Sequence, residues 1–150
     1  MDRSTRQTVF EGMELLPAAL APFVEKRLDS AMPGIWQREF VERVKGLHPD
    51  ASGKPGRDLA SLLKVMITFW KVGFATALGP TERALVSELL EVRHKLAHDE
   101  AFSYDDAERA LDSMRRLMAA IGAGDVEDQL SGSRETILRT KYRELARNEE

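Results

Sequence analysis

The chain has 150 residues, no cysteine and a formal net charge of −3. The missing thiols exclude disulfides, cysteine nucleophiles and cysteine-based zinc sites. The slightly acidic balance excludes a general, strongly basic nucleic-acid binder, so any RNA contact must be local or completed by a partner or second copy.

A chain of this length suits one domain, able to bury roughly 70% of its unfolded surface without staples. No run approaches the ~20 apolar residues of a membrane span. The opening Met1-Asp-Arg-Ser-Thr-Arg6 lacks the apolar core of a secretion signal. No membrane contact and a cytoplasmic location are therefore expected. Apolar residues make up 43% and charged residues 31%, a mixture that fits amphipathic helices packed in a bundle.

In chain order, Val9, Phe10, Met13, Leu16 and Leu20 recur at helical spacing and predict a helix over 5–32. Pro17 and Pro22 interrupt it. Each removes a backbone donor and clashes one turn back, which predicts a kink or two short helices. Met32-Pro33-Gly34 is a break. A second helix is expected over about 35–46, with Ile35, Trp36, Phe40 and Val44 as its apolar face. The residues from His48 to Gly56 read as a flexible surface loop. Gly53-Lys54-Pro55-Gly56 within it lacks the spacing and the preceding strand of a phosphate loop.

Asp58 suits the cap of a third helix over 59–78. Its apolar residues, Leu59 to Phe74, cover more than one face, which marks a central core helix. Trp36 and Trp70 read as core residues rather than base-stacking platforms. Gly79-Pro80 separates this helix from a fourth over 80–98. Ser103 with Asp106 resembles a capping box that starts a fifth helix, about 104–121, ended by Gly122 and Gly124. On it, Arg115 and Arg116 read as a solvated face.

The segment 125–148 is charged almost all round and is either a frayed surface helix or the start of a connector. The expected organisation is a helical domain over 1–124 and a charged helical tail over 125–150 leading to a further domain. The alternating, β-branched runs that strands need are missing. The fold class is all-α, with five to six helices.

Chemistry concentrates on the fourth helix. Leu85, Leu89, Val92 and Leu96 are spaced 4-3-4 and form one buried stripe. At about 100° per residue, Arg93 lies on the flank of that stripe and His94 and His98 lie nearly opposite it. These polar groups therefore face solvent or a partner. Arginine supplies a fixed charge and a planar fork of donors for phosphate oxygens, and histidine moves protons near neutral pH. In RNA cleavage a base takes the 2′-hydroxyl proton, the oxygen attacks phosphorus, and a cation stabilises the added negative charge. The products are a 2′,3′-cyclic phosphate and a 5′-hydroxyl. No metal and no cofactor is expected.

Arg93 and His98 are about 140° apart on an ideal helix. They converge if the helix unwinds after Lys95, or if two copies pair across a two-fold axis. The second arrangement supplies two histidines, so a homodimer is expected. Arg43 and His48 repeat the spacing but run into the loop, and read as coincidence. His94 and His98 could share a metal, but the intervening Glu of the zinc-protease motif is absent. Two features oppose strong intrinsic RNA binding. Asp99 and Glu100 follow His98, and Glu82, Glu88 and Glu91 cancel Arg83, Arg93 and Lys95. A merely structural pair would be buried against Glu88, Glu91 or Asp99.

The runs Glu91-Val-Arg-His-Lys-Leu-Ala-His98 and Ala101-Phe-Ser-Tyr-Asp-Asp-Ala-Glu-Arg-Ala-Leu-Asp112 resemble the HEPN superfamily of helical domains. That superfamily's signature is Arg, a polar residue, a few variable positions and His, matched here by Arg93, His94 and His98. The runs Leu20-Ala-Pro-Phe-Val-Glu25, Asp58 to Met66 and Arg83-Ala-Leu-Val86, with Trp36, Trp70 and Phe74, are similar to one branch. That branch stands at the N-termini of large bacterial ATPases and helicases linked to phage defence. The likeness covers about residues 8–122.

The resemblance implies a HEPN-like bundle acting as an endoribonuclease, with RNA, a second copy and a fused or associated ATPase or helicase as partners. It implies catalytic roles for Arg93, at the scissile phosphate, and His98, as acid/base. His94 would orient that pair by hydrogen bonding. The branch more often carries Asn where this chain has His94. Some HEPN domains lack activity, so the alternative is a non-catalytic dimerisation or RNA-binding module of a larger ATPase or helicase.

Overall fold

A computed structural model describes residues 3–43 and 56–149. Among them are six α-helices and one π-helical turn, and no strand. Helix α1 spans Arg3–Ala31, α2 Trp36–Arg43 and α3 Leu59–Thr68, followed by the π-helical turn Trp70–Phe74. Helix α4 spans Pro80–Ala97, α5 Tyr104–Ala120 and α6 Gly124–Glu149. The expected all-α bundle is what the chain forms. Val44, His48 and Gly53 to Pro55 lie outside the described residues.

The prolines do not divide α1 into two short helices, one of the two expected outcomes: Pro17 and Pro22 both sit inside one helix of 29 residues. The reason is tertiary. Val9, Met13, Leu16, Leu20, Val24 and Leu28 are all buried along one face, against α3, α5, α6 and the π-helical turn. Burial of each such side chain contributes about 1.5–3 kcal/mol, against about 3 kcal/mol for each interior proline. Both prolines lie off the fully buried stripe.

Helix α3 is central as expected, with Leu59, Leu62, Leu63, Val65 and Met66 buried. It does not run to 78. It ends at Phe69 and passes into the π-helical turn, where the Ala75 amide donates to the Trp70 carbonyl (2.8 Å). A Cβ on Gly73 would lie 2.7 Å from Leu28 Cδ2, so glycine lets the turn approach α1. Arg27 reaches from α1 to donate to the Gly73 carbonyl (2.8 Å) and to Thr76 Oγ1 (2.9 Å), satisfying a backbone acceptor that the irregular turn exposes.

Both tryptophans are core residues, and the Trp36 indole donates to Asp29 Oδ1 (2.7 Å). Ile35, expected on the apolar face of α2, is exposed because that helix starts one residue later. Ser103 and Asp106 form the expected reciprocal cap of α5. At the other end, Gly122 takes φ +80°, and the amides of Gly122 and Ala123 donate to Ala119 and Met118, the two bonds of a Schellman ending. Helix α6 then lies along α5, burying Leu130 and Ile137 in the common core. Its last turns are exposed, including Tyr142 and Leu145.

Candidate functional site

Helix α4 begins with Pro80 in its first turn, and Glu82 accepts from the Gly79 amide (3.0 Å). Leu85, Leu89 and Val92 bury the expected stripe and Leu96 is half-buried. Helical hydrogen bonding continues through Ala97, with His98 as the cap. The helix therefore does not unwind after Lys95, and the intrachain route to bringing Arg93 and His98 together is not taken.

The ending is built without glycine. Asp99 adopts φ +53°, a left-handed conformation that Asp tolerates better than most residues. The Glu100 amide donates to Lys95 (3.0 Å) and the Asp99 amide to Leu96 (3.4 Å), again the Schellman pair. Arg6 of α1 holds this ending from outside. Its guanidinium donates to the carbonyls of Glu100 (3.1 Å), Lys95 (3.3 Å) and Leu96 (3.4 Å), and it pairs with Asp99 (3.2 Å). Last-turn carbonyls normally lack partners, and the Arg6 side chain supplies them with a positive charge, which the helix dipole favours.

Arg93, His94 and His98 are all exposed. The imidazoles of His94 and His98 touch, with ring centroids 4.2 Å apart and planes at 43°. His94 Nε2 also lies 3.8 Å from Glu100 Oε2. His94 thus links Arg93, its neighbour in sequence, to His98 one turn on, through ring contact with the latter. Arg93 stands on a ridge between two grooves. One, of about 370 Å³, is lined by Phe10, Met13, Pro17, Leu59 and Leu96, with Glu14 and Asp58 beside Arg93. The other, of about 250 Å³, is lined by Ala60, Lys64, Ser87, Leu90, Glu91 and His94 as well as Arg93.

Some of the acids near this ridge are engaged elsewhere, while Glu14 and Glu91 line the grooves beside Arg93. Glu88 accepts from Arg109 at 2.7 Å and Asp99 pairs with Arg6. Asp58 caps α3, accepting from the Ser61 amide (3.2 Å) and hydroxyl (2.6 Å). Burial opposes its ionisation, but those hydrogen bonds and the nearby charge of Arg93 hold its carboxyl below the ordinary value. Among the described residues, Arg93 forms no ion pair with a carboxylate.

Arg6, Phe10 and Lys64 are the parts of this region that sequence reasoning missed. Arg6 acts on residues about ninety positions away, so no local pattern announces it. Phe10 was read only as part of the helical apolar spacing, and it is half-exposed. It shares a face of α1 with Glu14 and Pro17, not with the buried Val9 stripe, and that helical offset was the available signal. Arg43 places its guanidinium 5.1 Å from the Phe69 ring centre, a cation–π contact. Arg115 is not simply solvated, since it bridges Asp112 (2.8 Å) and Glu127 (3.6 Å) between α5 and α6.

An all-helical bundle of this kind is the architecture of the HEPN superfamily. The chain belongs to it, within the Swt1-like HEPN family, whose model matches residues 11–122. No curated protein and no solved structure matches the chain. HEPN domains are generally ribonucleases, and they commonly dimerise and bind RNA, so membership supports a ribonuclease-type or RNA-binding role. No helix among the described residues is long and apolar enough to cross a membrane.

Proposed function

We propose that the chain is a metal-independent endoribonuclease domain that cleaves RNA through Arg93 and His98 where two copies meet, within a defence or RNA-surveillance system. The observation that carries this reading is the exposed Arg93–His94–His98 ridge. Its arginine forms no ion pair with a carboxylate among the described residues, although its charge acts on Asp58, and Glu88 and Asp99 are paired elsewhere. A purely structural Arg–His pair would be buried against Glu88, Glu91 or Asp99, whereas all three ridge side chains are exposed.

In the reaction, His98 takes the proton of the 2′-hydroxyl and the 2′-oxygen attacks the adjacent phosphorus. The bond from phosphorus to the 5′-oxygen breaks, and that oxygen leaves with a proton donated by His98 of a second copy. Arg93 carries the charge that develops on the non-bridging oxygens. His94 orients His98 through the ring contact. The resemblance of residues 20–25, 58–66 and 83–86 to the N-terminal branch supports a fused or associated ATPase or helicase, with the exposed last turns of α6 rather than the whole 125–150 segment as the connector, since Leu130 and Ile137 belong to the core.

A second reading, a non-catalytic dimerisation or RNA-binding module, is favoured by the acids that remain. Glu91 lines the smaller groove and Glu100 faces His94. The deciding experiment is cleavage of a mixed RNA pool, in EDTA, by the wild type, Arg93→Ala and His98→Ala. Cyclic-phosphate ends from the wild type alone would support the nuclease. Intact RNA with a folded, dimeric wild type would move the assignment to the module.

A further inference from the structure

We propose that the larger groove beside Arg93 is a nucleobase subsite, in which Phe10 stacks on a base of single-stranded RNA whose phosphate lies on Arg93. The inference rests on the RNA reading above and adds where the strand lies. The groove runs between α1, the start of α3 and the last turns of α4. Phe10, Met13 and Pro17 recur along one face of α1, and Leu59 and Leu96 close the other side. Phe10 is 50% exposed, so its ring is available rather than packed away. An accessible aromatic ring beside a fixed cation is the combination that holds a base and its phosphate together.

Charge sets the direction. Glu14 and the ionised Asp58 lie in the apolar groove with Phe10, and they repel a phosphate while leaving a neutral base free to enter. On the other side of Arg93, Lys64 and His94 line the more polar groove together with one acid, Glu91, against two acids and no further cation in the apolar groove, so a sugar–phosphate backbone finds its cations and donors there. Arg93 is the residue common to both grooves. A nucleotide straddling that ridge puts its base on Phe10 and its phosphate on the guanidinium. The strand then continues past His94 towards His98.

The test compares binding of short fluorescent oligoadenylate with binding of an abasic ribose–phosphate oligomer of equal length. It uses the chain in a His98→Ala background, so that the probes stay intact. Phe10→Ala is expected to weaken oligoadenylate binding by about 5- to 150-fold, the range for loss of one stacked base. It should leave the weaker abasic binding unchanged, and Phe10→Trp should restore oligoadenylate affinity. Phe10→Ala melting at the wild-type temperature keeps folding out of the comparison.

Equal binding of oligoadenylate by the parent and Phe10→Ala, while Arg93→Ala still weakens it, would overturn the subsite and leave the RNA reading standing. A Phe10→Ala protein that loses its dimer, with RNA affinity per dimer unchanged, would assign the groove to a second copy and overturn the subsite. Absence of RNA binding that responds to Arg93→Ala would overturn both.

Discussion

The seam between α5 and α6 and the end of α4 both carry dense charge, and they arrange it in opposite ways. At the seam, cations meet carboxylates across the two helices. Arg134 reaches Glu108 at 2.7 Å, Arg115 joins Asp112 and Glu127, and Lys141 lies 2.6 Å from Asp105. Hydrogen bonding to those carboxylates raises the pKa of Arg134 and Lys141. At the end of α4, the clamp formed by Arg6 is equally well paired, but Arg93, His94 and His98 stand outside it, exposed on the ridge. Charge that holds two helices together is neutralised by its partner. The ridge side chains have no such neutralising partner across a helix seam, and Arg6 fastens only the backbone ending that follows them.

Substitutions that separate the two regions should therefore separate activity from stability. The largest expected effect is at the ridge. His98→Ala should lower cleavage by about 10²–10⁴-fold and Arg93→Ala by about 10²–10³-fold. As exposed residues, both should melt within about 0.5 kcal/mol of the wild type. A matching loss of stability would erase the contrast with the seam.

Beneath the seam, Leu130→Ala and Ile137→Ala should each cost about 2–5 kcal/mol, because both side chains are fully buried. Denaturant unfolding measures this directly, and a silent substitution would mean that α6 is not part of the cooperative unit.

Arg6→Ala joins the two kinds of charge. It should destabilise by about 0.5–1.5 kcal/mol through its lost hydrogen bonds to the α4 ending, while the Lys95 and Leu96 carbonyls keep the Glu100 and Asp99 amides as donors. If the ending positions His98, it should also lower kcat while leaving KM nearly unchanged. Loss of stability with kcat intact would reduce Arg6 to a structural tie.

Asp58→Ala should cost about 0.5–2 kcal/mol as a lost helix cap. The depressed carboxyl also gives a pH signature. Its contribution is fully present above the ordinary value of 3.8 and is lost as the pH falls below it. Melting temperature followed through the acid limb should fall less steeply in Asp58→Asn than in the wild type. The smallest effect belongs to the seam surface, where Arg134→Ala should cost no more than about 1 kcal/mol, less in high salt.

Much of this was legible from local pattern. The caps at Asp58 and Ser103, the stop at Gly122 and the Leu85–Leu89–Val92 stripe involve residues a few positions apart, and helical periodicity carries that information. The α1 prolines did not split the helix, because the interior penalty of proline is local while the burial that outweighs it comes from other elements. The helix expected over 59–78 missed the π-helical turn for a related reason: the close approach of Leu28 to Gly73 is a contact between distant segments.

The candidate site divides along the same line. Helical periodicity alone put Arg93 on the flank of the buried stripe and His94 and His98 opposite it, because a helix repeats every 3.6 residues whatever surrounds it. Only the tertiary structure decided that α4 stays helical to Ala97, that Arg6 fastens its end, and that Phe10 and Lys64 flank Arg93 in separate grooves. Those outcomes depend on how α1 and α3 pack against α4, and packing between distant segments leaves no periodic mark in the chain.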